Sequence, residues 1–250
     1  MPKEKAWWEA GFFEDFQPVF GIVPPKNTNA QVRFLIKKMG LEPGMRFLDC
    51  PCGVGRIALP LARKGIKVTG ADITQSYLDE MMRKAGRAKL PIEAIRADMR
   101  RIDFDCRFDA AANMWTSFGY FGKESDDLLI LKRAFKALKR GGKFLLHAIN
   151  RDWIMANFQP SDWLDVKGMK VLEKRSFDYA TSTSKGTWYF IKDGRETKHE
   201  ISIRHYSYHE LIRLLEKAGF MNIEGFGSPE GEPISRDSNM MFVFGTKPPL

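Results

Sequence analysis

The sequence is poor in cysteine and histidine and has no long hydrophobic run. It contains three cysteines and four histidines in 250 residues. An odd number of thiols in a chain of this size is typical of a reducing compartment. The aromatic stretch 7–16 is interrupted by Glu9, Glu14 and Asp15, so it lacks the apolar run of a signal peptide or membrane span. We therefore expect a cytoplasmic protein without membrane association.

The cysteines do not form a familiar metal motif. Cys50 and Cys52 are separated by one residue, which is one fewer than in the usual C-x-x-C spacing, and Cys106 is the only other thiol. Small buried residues in a tight turn are the simpler interpretation. We expect no metal site. The sequence also has no internal repeat and no low-complexity segment, and its length suits one sizeable core with an inserted subdomain.

The formal net charge of +9 raises the question of nucleic-acid binding. The basic residues are, however, spread along the chain. Their densest run, Lys132 to Lys143, falls on one predicted helix and its exit, where charged residues usually form a solvated face. We therefore do not expect nucleic acid as a partner.

The most informative stretch follows the first predicted strand. An apolar strand, 45–48, ends at Asp49; a turn with Gly53 and Gly55 follows, and the next strand ends near Asp72. Together with the amphipathic helix 57–64 between them, these strands predict a βαβ unit with acids at both carboxyl ends, where open α/β sheets bind ligands. A cofactor that offers an ammonium group to the first acid and ribose hydroxyls to the second suits this arrangement. S-adenosylmethionine is such a cofactor.

A dinucleotide is the competing interpretation, because Gly53-x-Gly55-x-x-Ala58 also satisfies the loose G-x-G-x-x-G/A pattern. Asp49 argues against it, since a carboxylate four residues before the first glycine would lie near a pyrophosphate and repel it. A glycine turn that only packs helix on strand is a third possibility.

The remaining pattern predicts an α/β protein with a Rossmann-like, seven-stranded, doubly wound sheet. Further predicted elements are helices 74–87, 125–139 and 208–218 and strands 91–96, 108–114, 143–149, 221–226 and 240–245. We expect Gly141-Gly142 to stop the second of these helices. Between strand 143–149 and helix 208–218, apolar and polar residues alternate from Val171 to Tyr206, which is typical of an antiparallel meander.

Four regions follow from this pattern. Residues 1–40 are predicted to form an N-terminal helical lid, and residues 41–149 the cofactor-binding core. Residues 150–205 form an antiparallel β insertion, and residues 206–250 complete the core sheet. In the lid, we expect one aromatic helix over 5–22 and a second helix capped by Asn27 or Thr28 and closed by Gly40.

From about Asn27 to Thr246, the chain resembles the class I S-adenosylmethionine-dependent methyltransferases. The motifs that carry the resemblance are Asp49–Arg56, Asp72, Ala97–Met99, Asn113–Tyr120 and Leu138–Lys143. Two positions depart from the family pattern: Pro51 stands where the first glycine of the turn is usual, and Arg140 replaces a proline before Gly141.

The resemblance implies roles for individual residues at the cofactor. It places the Asp49 to Arg56 loop, with Asp49, Cys50, Gly53, Gly55 and Arg56, at the amino-acid end. It implies that Asp72 accepts from the ribose hydroxyls, that Ile73 lies against adenine, and that Asp98 and the Met99 backbone read the adenine ring. Asn113 would offer its carbonyl to the methionine moiety. Asp72 or Asp98 could instead merely cap the following segment.

The insertion is similar to the one in amino-sugar and glycine/sarcosine N-methyltransferases, where a small antiparallel sheet covers the acceptor. We expect acceptor contacts from Trp115, Ser117, Asn150, Arg151, Trp153, His205 and Tyr206. Tyr120 is the first candidate for a group near the methyl, and His147 is either a second catalytic residue or a core histidine. Arg151 either pairs with an anionic acceptor or lies in a surface turn.

The sequence therefore predicts in-line N- or O-methylation of a small-molecule acceptor by a monomer or homodimer. We expect Trp115, Tyr120, Asn150, Arg151 and Tyr206 to share one cavity. A nucleic-acid methyltransferase is one alternative, although Asn113-Met114-Trp115-Thr116 lacks the Asn-Pro-Pro-Tyr pattern that base methylation favours. A non-catalytic S-adenosylmethionine-binding protein is another.

Overall fold

The computed structural model describes residues 6–9, 11–22 and 24–249 of the chain. Its strands are β1 Arg46–Asp49, β2 Lys67–Asp72, β3 Ile92–Arg96, β4 Phe108–Asn113, β5 Leu138–Ile149, β6 Ser161–Val166, β7 Met169–Asp178, β8 Thr183–Lys192, β9 Arg195–Arg204, β10 Met221–Phe226 and β11 Met240–Thr246. Its α-helices are α1 Phe12–Phe16, α2 Pro25–Met39, α3 Ala58–Arg63, α4 Gln75–Arg87, α5 Glu124–Ala137, α6 Arg151–Ala156 and α7 Tyr208–Ala218.

Seven strands form one sheet in the order β10-β11-β5-β4-β1-β2-β3. Strands β1 to β5 are parallel, and β11 runs antiparallel between β5 and β10. The chain reverses its direction of winding between β1 and β4, so that the carboxyl ends of these two strands border a crevice where ligands bind in such sheets. The predicted doubly wound sheet is confirmed.

Helices cover both faces of this sheet because its central strands are apolar on both sides. Leu35 of α2, Leu61 of α3 and Met81 of α4 are fully buried in one core cluster. Leu131 of α5 and Leu215 of α7 are fully buried in the cluster on the other face. The two layers hold the strand ends, and therefore the candidate site, in fixed positions.

Strands β6 to β9 form a separate antiparallel sheet, which we call the roof. Its inner face packs on the N-terminal segment, residues 6–22, through a third cluster that includes Phe12, Val19, Val171 and Phe190. The predicted meander is therefore present, but it begins earlier than Val171, because β6 adds an edge strand. The short helix α6, which the sequence pattern did not predict, joins β5 to the roof.

The N-terminal segment is not the single helix expected over 5–22. It consists of a 3-10 turn at Trp7–Glu9, helix α1, and a second 3-10 turn at Gln17–Ile22. Gly11, with φ of 84°, separates the first two; residues 5 and 10 lie outside the described part of the chain. Helix α2 begins at Pro25 without a side-chain cap from Asn27 or Thr28, because proline is preorganised for the first helical position. Gly40 closes this helix as expected.

A second correction concerns the glycine pair at 141–142. Helix α5 ends at Ala137, and β5 already begins at Leu138, so the glycines lie within the strand. Gly141 has φ of 74°, and the β4–β5 register shifts between Phe108 and Ala110. The pair therefore marks an irregularity in the strand and does not stop the helix. Among the described helices, none is long and apolar enough to cross a membrane.

Gly119 tests how tightly the loop after β4 is joined to the roof. A Cβ atom there would lie 2.0 Å from the Arg204 carbonyl oxygen, and φ is +92°. Gly122, with φ of +71° and no atom within 4 Å of its Cβ position, is a matched control. We expect Gly122→Ala to lower the free energy of unfolding by about 1–2 kcal/mol through φ strain alone. Gly119→Ala should cost about 1–3 kcal/mol more.

Urea unfolding of both variants measures this difference. Equal losses for Gly119→Ala and Gly122→Ala would show that the loop and β9 are not in close contact in solution.

Candidate active site

The carboxyl ends of β1, β2 and β4 bring three polar side chains together. Asp49, Asp72 and Asn113 are only 1%, 5% and 1% exposed. Both carboxylate oxygens of Asp49 and the Oδ1 atom of Asn113 are buried without a hydrogen-bond partner among the described residues. Buried acceptors without partners are costly and rare in native proteins. The arrangement therefore fits a ligand that donates hydrogen bonds or carries a positive charge.

Burial dominates the electrostatics of Asp49. It raises the pKa of this carboxyl from 3.8 to about 7, although the Arg56 guanidinium and the Ala58 backbone amide oppose the shift, and the Asp72 carboxylate adds to it. Arg56 is held from the opposite side, because its Nη1 donates to Gln31 at 2.7 Å and to Thr28 at 3.2 Å. Helix α2 thus positions the cation that faces Asp49.

The turn between β1 and α3 depends on its glycines. Gly53 and Gly55 have φ of 52° and 81°, and a Cβ atom at Gly55 would lie 2.6 Å from the Met81 Cγ. Gly53 and Cys52 line the cavity that begins at these strand ends, whereas Gly55 and Cys50 do not.

Burial raises the pKa of the Cys50 and Cys52 thiols well above their usual range. The described residues include no group of three or more His, Cys, Asp and Glu side chains placed to hold a metal ion.

Asp72 connects two loops at the end of β2. Its Oδ2 accepts from the Gly53 amide at 2.8 Å, and its Oδ1 accepts from the Thr74 amide at 2.9 Å. Burial raises the pKa of Asp72 in spite of these hydrogen bonds. The carboxylate therefore has the local capping contact considered above, and it also lines the cavity together with Ile73.

Asp98 is held by a neighbouring arginine. Its Oδ2 lies 2.6 Å from the Arg100 Nη2, and its Oδ1 accepts from the Arg100 amide at 2.8 Å. Burial raises the pKa of Asp98, but the hydrogen bonds and charge of Arg100 outweigh it, and the net pKa is lowered. Asp98 and Met99 both line the cavity. An ionised acceptor is thus fixed at the wall beyond Asp72.

One cavity of about 630 Å³ runs from these strand ends to the inner face of the roof. Most of its wall is aromatic or aliphatic. Its charged lining residues are Asp49, Arg56, Asp72, Asp98, Asp162, Glu173 and Arg175. Five carboxylates against two guanidinium groups make the cavity acidic, in contrast to the chain as a whole, which carries a formal charge of +9.

The N-terminal segment supplies much of the aromatic wall. The ring centroids of Trp7 and Tyr120 are 4.9 Å apart. The ring centroid of Phe16 lies 6.2 Å from that of Trp115 and 5.7 Å from that of Trp188. The Tyr77 hydroxyl donates to the Phe13 carbonyl. From the sequence this segment is predicted to be a lid, and none of its residues is predicted at the site; the cluster of aromatics between 7 and 16 is the signal that could have identified them.

Tyr120 lines the cavity, whereas His147 does not. Burial raises the pKa of Tyr120 to about 12, although Ser117 lowers it and Asp72 adds to the rise. His147 is 1% exposed, and its Nδ1 accepts from the Trp115 amide at 3.1 Å. Burial and then Arg56 lower the pKa of His147 to about 3. This histidine is therefore a neutral core residue that positions Trp115, and the alternative of a cavity residue is wrong.

Three of the five residues expected to share the cavity lie elsewhere. Asn150 caps α6 by accepting from the Asp152 amide and donates to the Ser235 and Ser238 carbonyls. Arg151 pairs with Glu210 at 2.7 Å. The Tyr206 hydroxyl donates to the buried Asp127 at 2.6 Å. The capping of α6 and the partners Glu210 of α7 and Asp127 of α5 hold these side chains outside the cavity.

The other predicted acceptor residues do line the cavity, namely Trp115, Ser117, Trp153 and His205. Burial lowers the pKa of His205 to about 4, so this side chain is neutral near neutral pH. Trp115 and Thr116, both with φ of 63°, carry the loop after β4 across the end of the sheet. This unusual backbone conformation is what brings Trp115, Ser117 and Tyr120 to the same wall.

Asp49 provides a test of the site that needs no ligand. Its pKa is raised in the fold, so the neutral form is favoured, and ionisation destabilises the protein as the pH rises from about 4 to about 7. A shift from 3.8 to about 7 corresponds to about 4 kcal/mol above that range. We expect Asp49→Asn to be more stable than the wild type by up to this amount at about pH 8, with the advantage lost near pH 4.

Asp109 is the matched control, because the Arg46 amide and Lys139 lower its pKa despite partial burial. Asp109→Asn should therefore lower stability at about pH 8. Chemical denaturation of the ligand-free proteins at both pH values gives the comparison. A stability difference between Asp49→Asn and wild type that does not change with pH would contradict a buried, uncompensated carboxylate.

Comparison with known proteins agrees with this geometry. Residues 47–142 match the family model described as a methyltransferase domain. The S-adenosyl-L-methionine-dependent Diels-Alderase iccD of Talaromyces variabilis is 30% identical over 191 residues, 74% of this chain and 56% of that protein. The matched stretch spans about half the length of two curated relatives.

Solved structures share the fold across almost the whole chain. An S-adenosylmethionine-dependent methyltransferase from Clostridium acetobutylicum aligns with a TM-score of 0.80 and 17% identity, over 93% of this chain and 96% of that one. The sugar N-methyltransferase KedS8 from Streptoalloteichus aligns with a TM-score of 0.66 and 15% identity, over 89% and 87%. The sheet order, the paired acids at the strand ends and the matched family model have one common explanation: the domain at residues 47–142 belongs to the class I S-adenosylmethionine-dependent methyltransferases.

Proposed function

We propose that this protein transfers the methyl group of S-adenosylmethionine to a small-molecule acceptor held beneath the roof. The observation that carries the proposal is the continuity of one cavity. At one end lies Asp49, whose carboxylate oxygens form no hydrogen bond with the described residues, and at the other lies the aromatic inner face of the roof. A cofactor at the first end and an acceptor at the second would share a single enclosed space.

The residues at the strand ends fit the cofactor. Asp49 and the Oδ1 of Asn113 offer buried acceptors for the ammonium group. Asp72 can accept from ribose hydroxyls with the lone pairs that Gly53 and Thr74 leave free. Asp98, ionised and held by Arg100, can accept from the adenine amino group. The cofactor supplies a methyl group already activated by a sulfonium, so the protein mainly has to align the acceptor and exclude water.

The acceptor half of the cavity is built for alignment. Aromatic residues of the N-terminal segment, the loop after β4 and the roof exclude water from this half. Holding two reactants in place can lower the activation barrier of their reaction by roughly 7–11 kcal/mol. Tyr120 stays protonated near neutral pH because its pKa is about 12. It therefore donates or accepts a hydrogen bond beside the acceptor and does not act as a base. The acidic lining disfavours a polyanion such as nucleic acid.

A second candidate function comes from the similarity to iccD, whose name assigns it an S-adenosyl-L-methionine-dependent Diels–Alder reaction. A pericyclic reaction needs a shaped apolar cavity and no general base. The aromatic wall described above would serve it equally well. In that case the cofactor would be bound without being consumed.

Formation of S-adenosylhomocysteine separates these functions. The protein would be incubated with S-adenosylmethionine and a mixed panel of small amines, phenols and carboxylic acids, and the product measured by mass spectrometry. We expect product that depends on an acceptor. Tight cofactor binding by calorimetry without any product would favour the non-consuming or non-catalytic alternatives, and NAD binding without a response to S-adenosylhomocysteine would overturn the cofactor assignment.

We expect Asp72→Ala to weaken the binding of S-adenosylhomocysteine about tenfold to a hundredfold, because charge-assisted hydrogen bonds contribute roughly 1.5–3 kcal/mol. Asp79→Ala, on the exposed face of α4, is the control. The variant also loses the contacts to Gly53 and Thr74, so calorimetry must be done on protein shown to be folded by circular dichroism. Unchanged affinity in folded Asp72→Ala would mean that the ribose is held elsewhere.

Tyr120→Ala should lower turnover about 10²-fold through a misplaced acceptor, while changing cofactor affinity much less. Tyr120→Phe keeps the ring contact with Trp7 and tests the hydroxyl alone. Tyr179→Ala, at a side chain that is 79% exposed in the roof, is the control. Parallel losses of turnover and cofactor affinity in Tyr120→Ala would place this residue at the cofactor instead of the acceptor.

A further inference from the structure

The inner face of the roof contains a charged group in otherwise aromatic surroundings. Glu173 of β7 lines the cavity with a side chain that is 15% exposed. Arg175 contacts its Oε2 at 2.7 Å and reaches Asp162 at 3.4 Å. Arg175 and the Trp188 indole both donate to Glu173, but a carboxylate has about four lone pairs, so it can still accept a hydrogen bond from a ligand.

The charges in this group do not cancel. The carboxylates of Asp162 and Glu173 share the single guanidinium of Arg175, which leaves an excess negative charge at the roof. Burial raises the pKa of Glu173, although the hydrogen bond and charge of Arg175 oppose the rise. A cationic ligand would relieve this excess charge, whereas an anionic ligand would add to it.

Aromatic rings lie next to the Glu173 side chain. Trp188 is its direct partner across β7 and β8, so both side chains face the cavity side of the roof. Trp188 is in turn linked through Phe16 to Trp115 by ring contacts of 5.7 and 6.2 Å. A carboxylate beside such rings is the combination that recognises an ammonium group, through charge and cation–π attraction.

The absence of a side chain at Gly186 leaves space between these groups. A Cβ atom there would lie 3.2 Å from the Trp188 Nε1 and 3.5 Å from the Glu173 Oε1. The Trp188 Nε1–H is directed at the Glu173 carboxylate, and this hydrogen bond lowers the pKa of Glu173. Gly186 also lines the cavity. Gly186 thus leaves room beside a carboxylate that Arg175 and Trp188 hold in place.

We propose that Glu173, Trp188 and Gly186 form a subsite for the protonated amino group of the acceptor, which is a small amine with an apolar body. This inference rests on the proposed function, since it names the acceptor class for the same cavity. The ammonium group donates to the Glu173 carboxylate and lies against the Trp188 ring, and the apolar body extends along Phe16 towards Trp115. Because an ammonium nitrogen has no lone pair, methylation of this nitrogen would require its proton to pass first to Glu173. The net acidity of the cavity favours such a cation along its whole length.

Paired ligands that differ only in charge test the subsite. The probes are cyclohexylamine with cyclohexanol and phenethylamine with 2-phenylethanol, titrated at neutral pH by calorimetry into protein saturated with S-adenosylhomocysteine. We expect at least one amine to bind about tenfold or more tightly than its alcohol. Equal affinity within both pairs, or no amine binding to protein that binds S-adenosylhomocysteine, would overturn the subsite. Failure to bind S-adenosylhomocysteine would instead count against the proposed function.

Two variants and one control variant locate the preference for the amine. Glu173→Gln keeps the size of the side chain and should abolish the difference between amine and alcohol. Glu200→Gln, an exposed roof residue paired with Lys198, should preserve it. Gly186→Ala, at a position without positive φ, should weaken the binding of the amine, because the added methyl group fills the space while the charges remain. If Glu173→Gln binds S-adenosylhomocysteine normally and retains the amine preference, the subsite is not at Glu173.

Discussion

The buried carboxylate of Asp49 is the constraint on which the rest of the site depends. Its oxygens find no partner in the described protein, and an isolated buried charge is costly. The surrounding structure limits the cost through Arg56, which α2 holds by Gln31 and Thr28. Helix α2, assigned from the sequence to a lid, is therefore part of the electrostatic support of the sheet end. The buried carboxylate lowers the stability of the ligand-free protein, and a cationic ligand bound beside Asp49 would raise it again.

The distribution of charge divides the molecule into a basic exterior and an acidic interior. The chain carries a formal charge of +9, yet carboxylates outnumber guanidinium groups around the cavity. Net charge taken from composition raises the question of nucleic-acid binding, whereas the cavity lining favours small cations. The fold makes this division possible, because parallel strands deliver Asp49 and Asp72 to one edge and the roof adds Glu173 from the other side.

The parts of the fold that could be predicted from the sequence depend on local patterns. Helix α7 and strand β10 have the predicted bounds because hydrophobic periodicity and Gly219 define them. Asp49 was found because the turn with Gly53 and Gly55 marks the end of β1, and Asp72 was found because the βαβ pattern places the end of the next strand there. Each of these signals lies within a few residues of the element that it identifies.

The other features of the site depend on contacts between residues that are far apart in the sequence. Asn150, Arg151 and Tyr206 follow strands that end near the cavity, but Ser235, Glu210 and Asp127 hold them away from it. His147 lies on the strand face that packs against Phe242, with ring centroids 4.4 Å apart. No local pattern reports such partners. Glu173 was missed for the same reason, since only the three-dimensional register places it opposite Trp188.

The acidity of the cavity also has a consequence for product exchange. S-adenosylmethionine carries one net positive charge, and S-adenosylhomocysteine carries none, because methyl transfer removes the sulfonium. In a cavity lined by more carboxylates than cations, the spent cofactor is held less strongly than the fresh one. A reaction of this kind in this cavity would therefore suffer less inhibition by its own by-product than in a neutral one, because the electrostatics would favour replacement of the spent cofactor by a fresh one.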